Sequence, residues 1–157
     1  MTLAQLLIPN RIQLNAEISS KKKALQEISR LFAESDNTLD QNLVFDALTD
    51  REKLGSTALE QGIAIPHCRI SGCTQAQSAI LTLRTGIDFD ARDGQAVDLL
   101  WALIVPEQST DEHLAILAQL ANTLSSADNC RKIRASRNAE ELHQNLTALE
   151  QMTEQQS

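Results

Sequence analysis

The sequence predicts one α/β domain, a sheet with helices laid against it. A nearly unbroken apolar run, Val97 to Val105, reads as a central strand buried on both faces. Helical apolar stripes lie on either side of a strand-rich middle. The hydrophobic content is 42% of 157 residues, with one Trp, three Phe and no Tyr, so the core is built from Leu, Ile, Val and Ala. Interiors of that kind suit helices packed on a sheet, and the length fits one compact domain. The domain is expected over residues 1–150, with a polar, frayed tail at 151–157.

The elements follow in order. Leu3 to Ile8 is a short apolar segment halted by Pro9, and Arg11 to Leu14 alternates polar and apolar as a strand does. Ser19 and Ser20 offer N-caps to a helix over Lys21 to Phe32, whose stripe is Ala24, Leu25, Ile28, Leu31 and Phe32. Asp40 caps a second helix with Leu43, Val44, Ala47 and Leu48 on its apolar face, and Gly55 ends that region. Ser56 to Gln61 is a loop, and Gly62 to Pro66 a short apolar strand closed by proline, directly before His67. Ser78 to Leu83 is a strand, Asp88 to Gly94 a turn, and Pro106 ends the central strand. Thr110 caps a helix running to Leu124 with a stripe of Leu114, Leu117, Ala118, Ala121 and Leu124. A shorter helix covers Asn129 to Ala135. The last begins at Asn138, with Glu141 at the capping-box position and Leu142, Leu146 and Leu149 following. The order of the strands cannot be read from such patterns.

Composition excludes several function classes. The net charge is −7, from 21 acidic and 14 basic residues, whereas a nucleic-acid partner needs a basic face. The cluster Arg131, Lys132, Arg134 and Arg137 is read as a solvated helix face. Three cysteines, Cys68, Cys73 and Cys130, give no disulfide framework. The first ten residues lack the basic and apolar regions of a secretory signal, and no apolar stretch approaches the ~20 residues a bilayer span takes. A cytoplasmic protein that is not integral to a membrane is expected.

Of three histidines, His143 reads as a surface residue on the last helix and His67 as the candidate for chemistry. Pro66 fixes its own φ and restricts Ile65, so the backbone before His67 is stiff. Imidazole is neutral and nucleophilic near pH 7, and it can attack phosphorus and later leave. Arg51 supplies a planar cationic fork suited to phosphoryl oxygens, Ser56 and Thr57 supply hydroxyls, and His113 lies near a helix N-terminus, where free N–H groups favour anions. Phosphoryl transfer needs little beyond such positioning and charge stabilisation. Each residue alone also has an ordinary reading: Arg51 or His113 as a helix cap, Ser56 and Thr57 as turn filler.

The stretch Arg51 to Arg69, R-E-K-L-G-S-T-A-L-E-Q-G-I-A-I-P-H-C-R, resembles the active-site segment of enzyme IIA proteins of the phosphoenolpyruvate-dependent phosphotransferase system, fructose–mannitol type. It is most similar to the nitrogen-related branch. Val97 to Leu117, V-D-L-L-W-A-L-I-V-P followed by H-L-A-I-L, is similar to the family's strand and the helix bearing a second histidine. The resemblance runs from Leu3 to about Leu149. It implies a mixed sheet of about five strands with helices on both faces, a phosphorylated His67 modified at Nε2, a supporting His113, an active-site Arg51 and a G-S-T turn at Gly55, Ser56 and Thr57. It implies no metal and no organic cofactor. The implied donor is a phosphorylated HPr-like (NPr) carrier, and the implied readers are regulated target proteins that sense the phosphorylation state. The alternative within the family is a sugar-specific IIA passing the group to a IIB protein for fructose or mannitol uptake. Ala58, Glu60 and Cys68 depart from the pattern: Ala58 is tolerable unless φ is positive there, and Cys68 is a small filler or a redox-sensitive thiol beside the site.

Three other readings compete. Cys68, Cys73, His67 and His113 are possible zinc ligands, although the cysteine spacing is wide and His67 beside Cys68 converges poorly with it. Cys68 paired with His113 is a possible nucleophile, but no orienting third group is visible. A binding module that is never phosphorylated is the third.

Overall fold

The computed structural model describes residues 2–109 and 111–156. Two 3₁₀ turns, Ala4–Leu6 and Pro9–Arg11, precede strand β1 (Ile12–Ala16). Helices α1 (Lys21–Ser35) and α2 (Gln41–Lys53) follow, then β2 (Ile63–Ala64), β3 (His67–Ile70), β4 (Gln77–Ile87) and β5 (Val97–Pro106). Helices α3 (Asp111–Leu124), α4 (Ala127–Ala135) and α5 (Ala139–Gln156) complete the chain, so α5 continues into the stretch expected to be a tail.

The caps form where the sequence offers them. The Ser20 side chain accepts from Lys23 N, that of Asp40 from Asn42 N, and that of Asn138 from Glu141 N. The cap expected from Thr110 lies outside the described residues.

The sheet is mixed. β1 runs parallel to β4, β4 antiparallel to β5, and β2 and β3 both lie parallel against the far side of β5. Ala64 pairs with Leu100 and His67 with Leu103, so the register holds across Pro66. The predicted strand Gly62 to Pro66 is therefore the first half of a longer edge strand. Proline has no N–H to give, and an edge tolerates that loss, while its carbonyl still accepts from Leu103 N at 2.9 Å. His67 opens the second half of this edge strand, where a strand exit was expected.

Alternation along β5 divides the interior in two. Leu100, Ala102 and Ile104 face α1 and α2, whereas Leu99, Trp101, Leu103 and Val105 face α3, α4 and α5. The stripe of α1 is buried as its spacing predicts. That of α3 is rotated: His113, Ile116, Leu120 and Leu124 are buried, and Leu114 is 64% exposed. The apolar residues of α3 fit two overlapping stripes, and the buried one includes a histidine that a hydrophobic pattern counts as polar. Leu43 on α2 is likewise exposed, with Val44 and Leu48 turned inward.

Two surface readings change. His143 is half-buried and places Nε2 3.0 Å from Ala4 O, and Glu150 on the same helix accepts from Leu3 N and Ala4 N at 2.7 Å each, which ties α5 to the N-terminal segment. The basic cluster of α4 is not a uniformly solvated face. Arg131 and Lys132 pair with Asp128 and Arg137 with Glu141. Arg134 reaches across to Asp98 at 2.8 Å and to the carbonyls of Gln61 and Gly62. Gly62 has φ +81°, and a Cβ there would sit 3.1 Å from Ala96 O and 3.3 Å from the Arg134 guanidinium, so the start of the edge strand needs glycine. Among the described residues no helix is long and apolar enough to cross a membrane.

Candidate active site

The site forms at the outer edge of the sheet, where β3 meets the first turn of α3 and the last turn of α2. His67 and His113 stack edge to face with ring centroids 5.5 Å apart. They are 46 residues apart in the chain (113 − 67) and meet because His67 pairs with Leu103 on β5, the strand that leads into α3.

His67 Nδ1 lies 2.7 Å from Ile65 O. A carbonyl only accepts, so Nδ1 carries the proton and, in the neutral ring, Nε2 holds the lone pair. Burial pushes the His67 pKa below 6.5, with the Arg51 charge adding to it; the bond to Ile65 and the Glu52 carboxylate act in the opposite sense. These effects favour the neutral ring, with its lone pair on Nε2. His113 is 6% exposed, and its pKa is also lowered, first by burial and then by the positive field of His67, Arg69 and Arg51. Its Nδ1 is buried without a hydrogen-bond partner.

A chain of hydrogen bonds holds His67 in place from behind. Lys21 Nζ pairs with the buried Glu52 carboxylate at 3.0 Å, and Glu52 takes both the hydroxyl of Thr57 and its N–H, the latter at 3.2 Å. Thr57 O accepts from Ile65 N at 3.1 Å, and the carbonyl of Ile65 accepts from His67. The Gly55–Ala58 loop runs antiparallel beside the edge strand, with Ala58 bridged to Ala64.

The sequence-derived site residues thus have distinct places. His67, His113 and Arg51 converge. Arg51 donates to Gly55 O at 2.9 Å, closing the end of α2, and its charge is felt by both imidazoles. Ser56 and Thr57 stand in the adjoining loop with their hydroxyl protons committed, Ser56 to Phe89 O at 2.6 Å and Thr57 to Glu52. They build the loop in this state, and direct donation to a phosphoryl group would require those bonds to be given up. Glu52 was missed from sequence. It stands in the R-E pair that opens the active-site segment, but its role shows only once Lys21 and Thr57 are brought to it. Arg69 was missed as well, and two-residue alternation from His67 along β3 was the available signal.

Residues 5–148 match the family described as phosphoenolpyruvate-dependent sugar phosphotransferase system, EIIA 2. The chain belongs to this family. It is 47% identical over 142 residues to a nitrogen regulatory protein of Pseudomonas aeruginosa, covering 90% of this chain and 92% of the relative. A nitrogen regulatory protein of Escherichia coli is 45% identical over 132 residues, 83% of this chain and 80% of the relative. The fold matches the crystal structure of nitrogen regulatory protein IIA-Ntr from Neisseria meningitidis with a TM-score of 0.85 and 40% identity, over 92% of this chain and 98% of that one. IIA mannitol of Escherichia coli, 19% identical over 87% of this chain and 96% of that one, shares the fold with a TM-score of 0.72.

Within this IIA protein the departures from the family pattern can be placed. Ala58 is not among the residues with positive φ, so its methyl group carries no backbone strain. Glu60 is exposed in the loop. Cys68 is turned away from His67 into the core beneath α1 and α2, where burial pushes its thiol pKa up to about 12. A thiol so seldom ionised is neither a nucleophile nor a ready redox sensor. Among the described residues no three of His, Cys, Asp and Glu are grouped to hold a metal ion.

Proposed function

We propose that this nitrogen-related IIA protein accepts a phosphoryl group on Nε2 of His67 from a phosphorylated HPr-like carrier, and that its phosphorylation state is read by partner proteins it regulates. The observation that carries this is the bond from His67 Nδ1 to Ile65 O, which aims the lone pair at Nε2 while burial keeps the ring neutral.

The step balances simply. The Nε2 lone pair attacks phosphorus in line, a new N–P bond forms as the donor's bond to phosphorus breaks, and the donor's atom keeps the electron pair. The proton stays on Nδ1, donated to Ile65 O throughout, and the ring takes up the positive charge that forming the N–P bond creates. Arg51 stabilises the phosphoryl oxygens, and His113 donates a hydrogen bond to them. In the unmodified protein the Arg51 charge opposes protonation of both imidazoles, and roughly two negative charges arriving at pH 7 turn that repulsion into attraction. Ser56 and Thr57 act through the loop that holds Ile65. Leu54 at the end of α2 and Leu114, which follows His113 on α3, are 84% and 64% exposed, and they offer a reader protein apolar side chains on the two helices that carry Arg51 and His113.

The test is incubation with phosphoenolpyruvate and the phosphotransferase carrier proteins, followed by assay for acid-labile phosphate. Incorporation that persists in His67→Ala removes the reading. Restoration of fructose or mannitol uptake in a strain lacking its own IIA would replace the regulatory role with sugar transfer.

A further inference from the structure

Arg69 stands two residues after His67 on β3 and is exposed. Cys68 and Ile70 turn into the core under α1 and α2, so His67 and Arg69 share the other face of the strand. The register sets His67 opposite Leu103 and Arg69 opposite Val105, which fixes where both side chains begin. Side chains two residues apart on a strand begin about 7 Å from each other, a gap that an arginine spans.

Among the described residues the Arg69 guanidinium has neither an ion pair nor a hydrogen bond. Arg92 in the Asp88–Gly94 turn aside, the other arginines give N–H groups to a carboxylate or a carbonyl. Arg51 is one of them, through Gly55 O. An anion that meets Arg69 therefore displaces no existing partner.

The ring of His67 opens toward this residue. The two imidazole nitrogens face away from each other, and Nδ1 is turned back along the strand to Ile65 O at 2.7 Å. Nε2 therefore opens toward the later residues of β3, where the next side chain on the same face is Arg69. The charge of Arg69 bears on His113 ahead of that of Arg51, which sets it close to the pair of rings. The chain as a whole carries −7, so a dianionic group is attracted only where cations gather.

The geometry points to Arg69 as a second cation for the phosphoryl group, pairing with the oxygens of the phosphate on His67 Nε2. Arg51 reaches that group from the end of α2, and Arg69 reaches it along β3. The inference rests on the phosphorylation of His67 and adds a residue that holds the product. Arg69 exchanges no proton and forms no covalent bond; its planar fork matches two phosphoryl oxygens at once.

Transfer is measured in both directions with the full-length protein, forward from the phosphorylated carrier and back to the unphosphorylated one. Arg69→Gln is expected to shift the equilibrium about fivefold toward the carrier. The shift is expected to shrink as salt is raised. Arg69→Lys keeps the charge and is expected to recover most of the loss. Arg84→Gln removes the same charge on the β1 side of the sheet, where Arg84 pairs with Glu17, and is expected to leave the equilibrium unchanged. Thermal unfolding of Arg69→Gln is expected to match that of the native chain. The inference is overturned if Arg69→Gln leaves the equilibrium in place, or if Arg84→Gln moves it as far. It is also overturned if forward and reverse rates fall by one factor, which makes Arg69 a docking contact for the carrier and no holder of the phosphate. Normal uptake by native protein and Arg69→Gln alike removes the role of Arg69 alone. No uptake by the native protein, or equal uptake by His67→Ala, removes the phosphorylation reading and this inference with it.

Discussion

His67 and Cys68 are chain neighbours, yet they occupy opposite regions of the molecule. Strand alternation turns the imidazole toward α3 and the open edge of the sheet, and turns the thiol into the packed space under α1 and α2. Burial acts on both with opposite chemical results. Desolvation always penalises the charged form. For an imidazole that form is the protonated ring, so burial leaves the nucleophile. For a thiol it is the thiolate, so burial removes it. One physical cause thus leaves His67 with a free lone pair and Cys68 with its proton.

Four experiments test this contrast. The largest effect is expected from His67→Ala, which removes the ring whose Nδ1 is bound to Ile65 O and whose Nε2 is left to react. Phosphate incorporation should fall to background, while thermal unfolding moves little. Cys68→Ala should leave incorporation near normal, and the reverse pattern would invert the contrast.

Glu52→Ala comes next. It strips Lys21 and Thr57 of a buried carboxylate that takes two hydrogen bonds from Thr57 and one ion pair. A loss of about 2–3 kcal/mol in urea unfolding is expected. Incorporation by the folded fraction should also slow, because Ile65 loses the support that Thr57 gives it. Unchanged transfer would show that Pro66 alone aims His67.

Cys68→Ser places a hydroxyl where the thiol is buried beside Cys73. A cost of about 1–3 kcal/mol is expected, with transfer unaffected. Native Cys68 should react with a thiol reagent only at the rate of unfolding. Fast labelling of the folded protein would refute its assignment as inert.

The smallest effect is in the pH dependence of stability. Both His67 and His113 have folded-state pKa values below 6.5, so the unfolded chain binds more protons once the pH falls under that value. Stability should therefore decline as pH drops through the window below 6.5. His113→Leu should flatten that decline, measured by denaturant unfolding between about pH 7 and pH 5. It should also slow phosphoryl acceptance if His113 donates to the phosphoryl oxygens.

Much of the fold was legible residue by residue. The α1 stripe, the caps at Ser20, Asp40 and Asn138, and the double-faced β5 follow from local chemistry and periodicity. The rotated stripe of α3 was not legible, because its leucines fit two overlapping faces and the buried one includes His113. His143 and Arg134 were misread as solvent-facing, since a polar side chain that reaches a distant carbonyl leaves no trace in its own neighbourhood. The same reason hid Glu52 and the commitment of the Ser56 and Thr57 hydroxyls.

From the residues alone came one α/β domain, a backbone stiffened by Pro66 ahead of His67 as the candidate for chemistry, and a resemblance to the family. Composition, periodicity and short motifs are local properties, and they decide elements and residue types. Only the tertiary structure decided which nitrogen of His67 is presented, that His113 meets it across β5, and that Cys68 lies on the other face. Those outcomes depend on strand order and burial, and both are set by contacts between residues far apart in the chain.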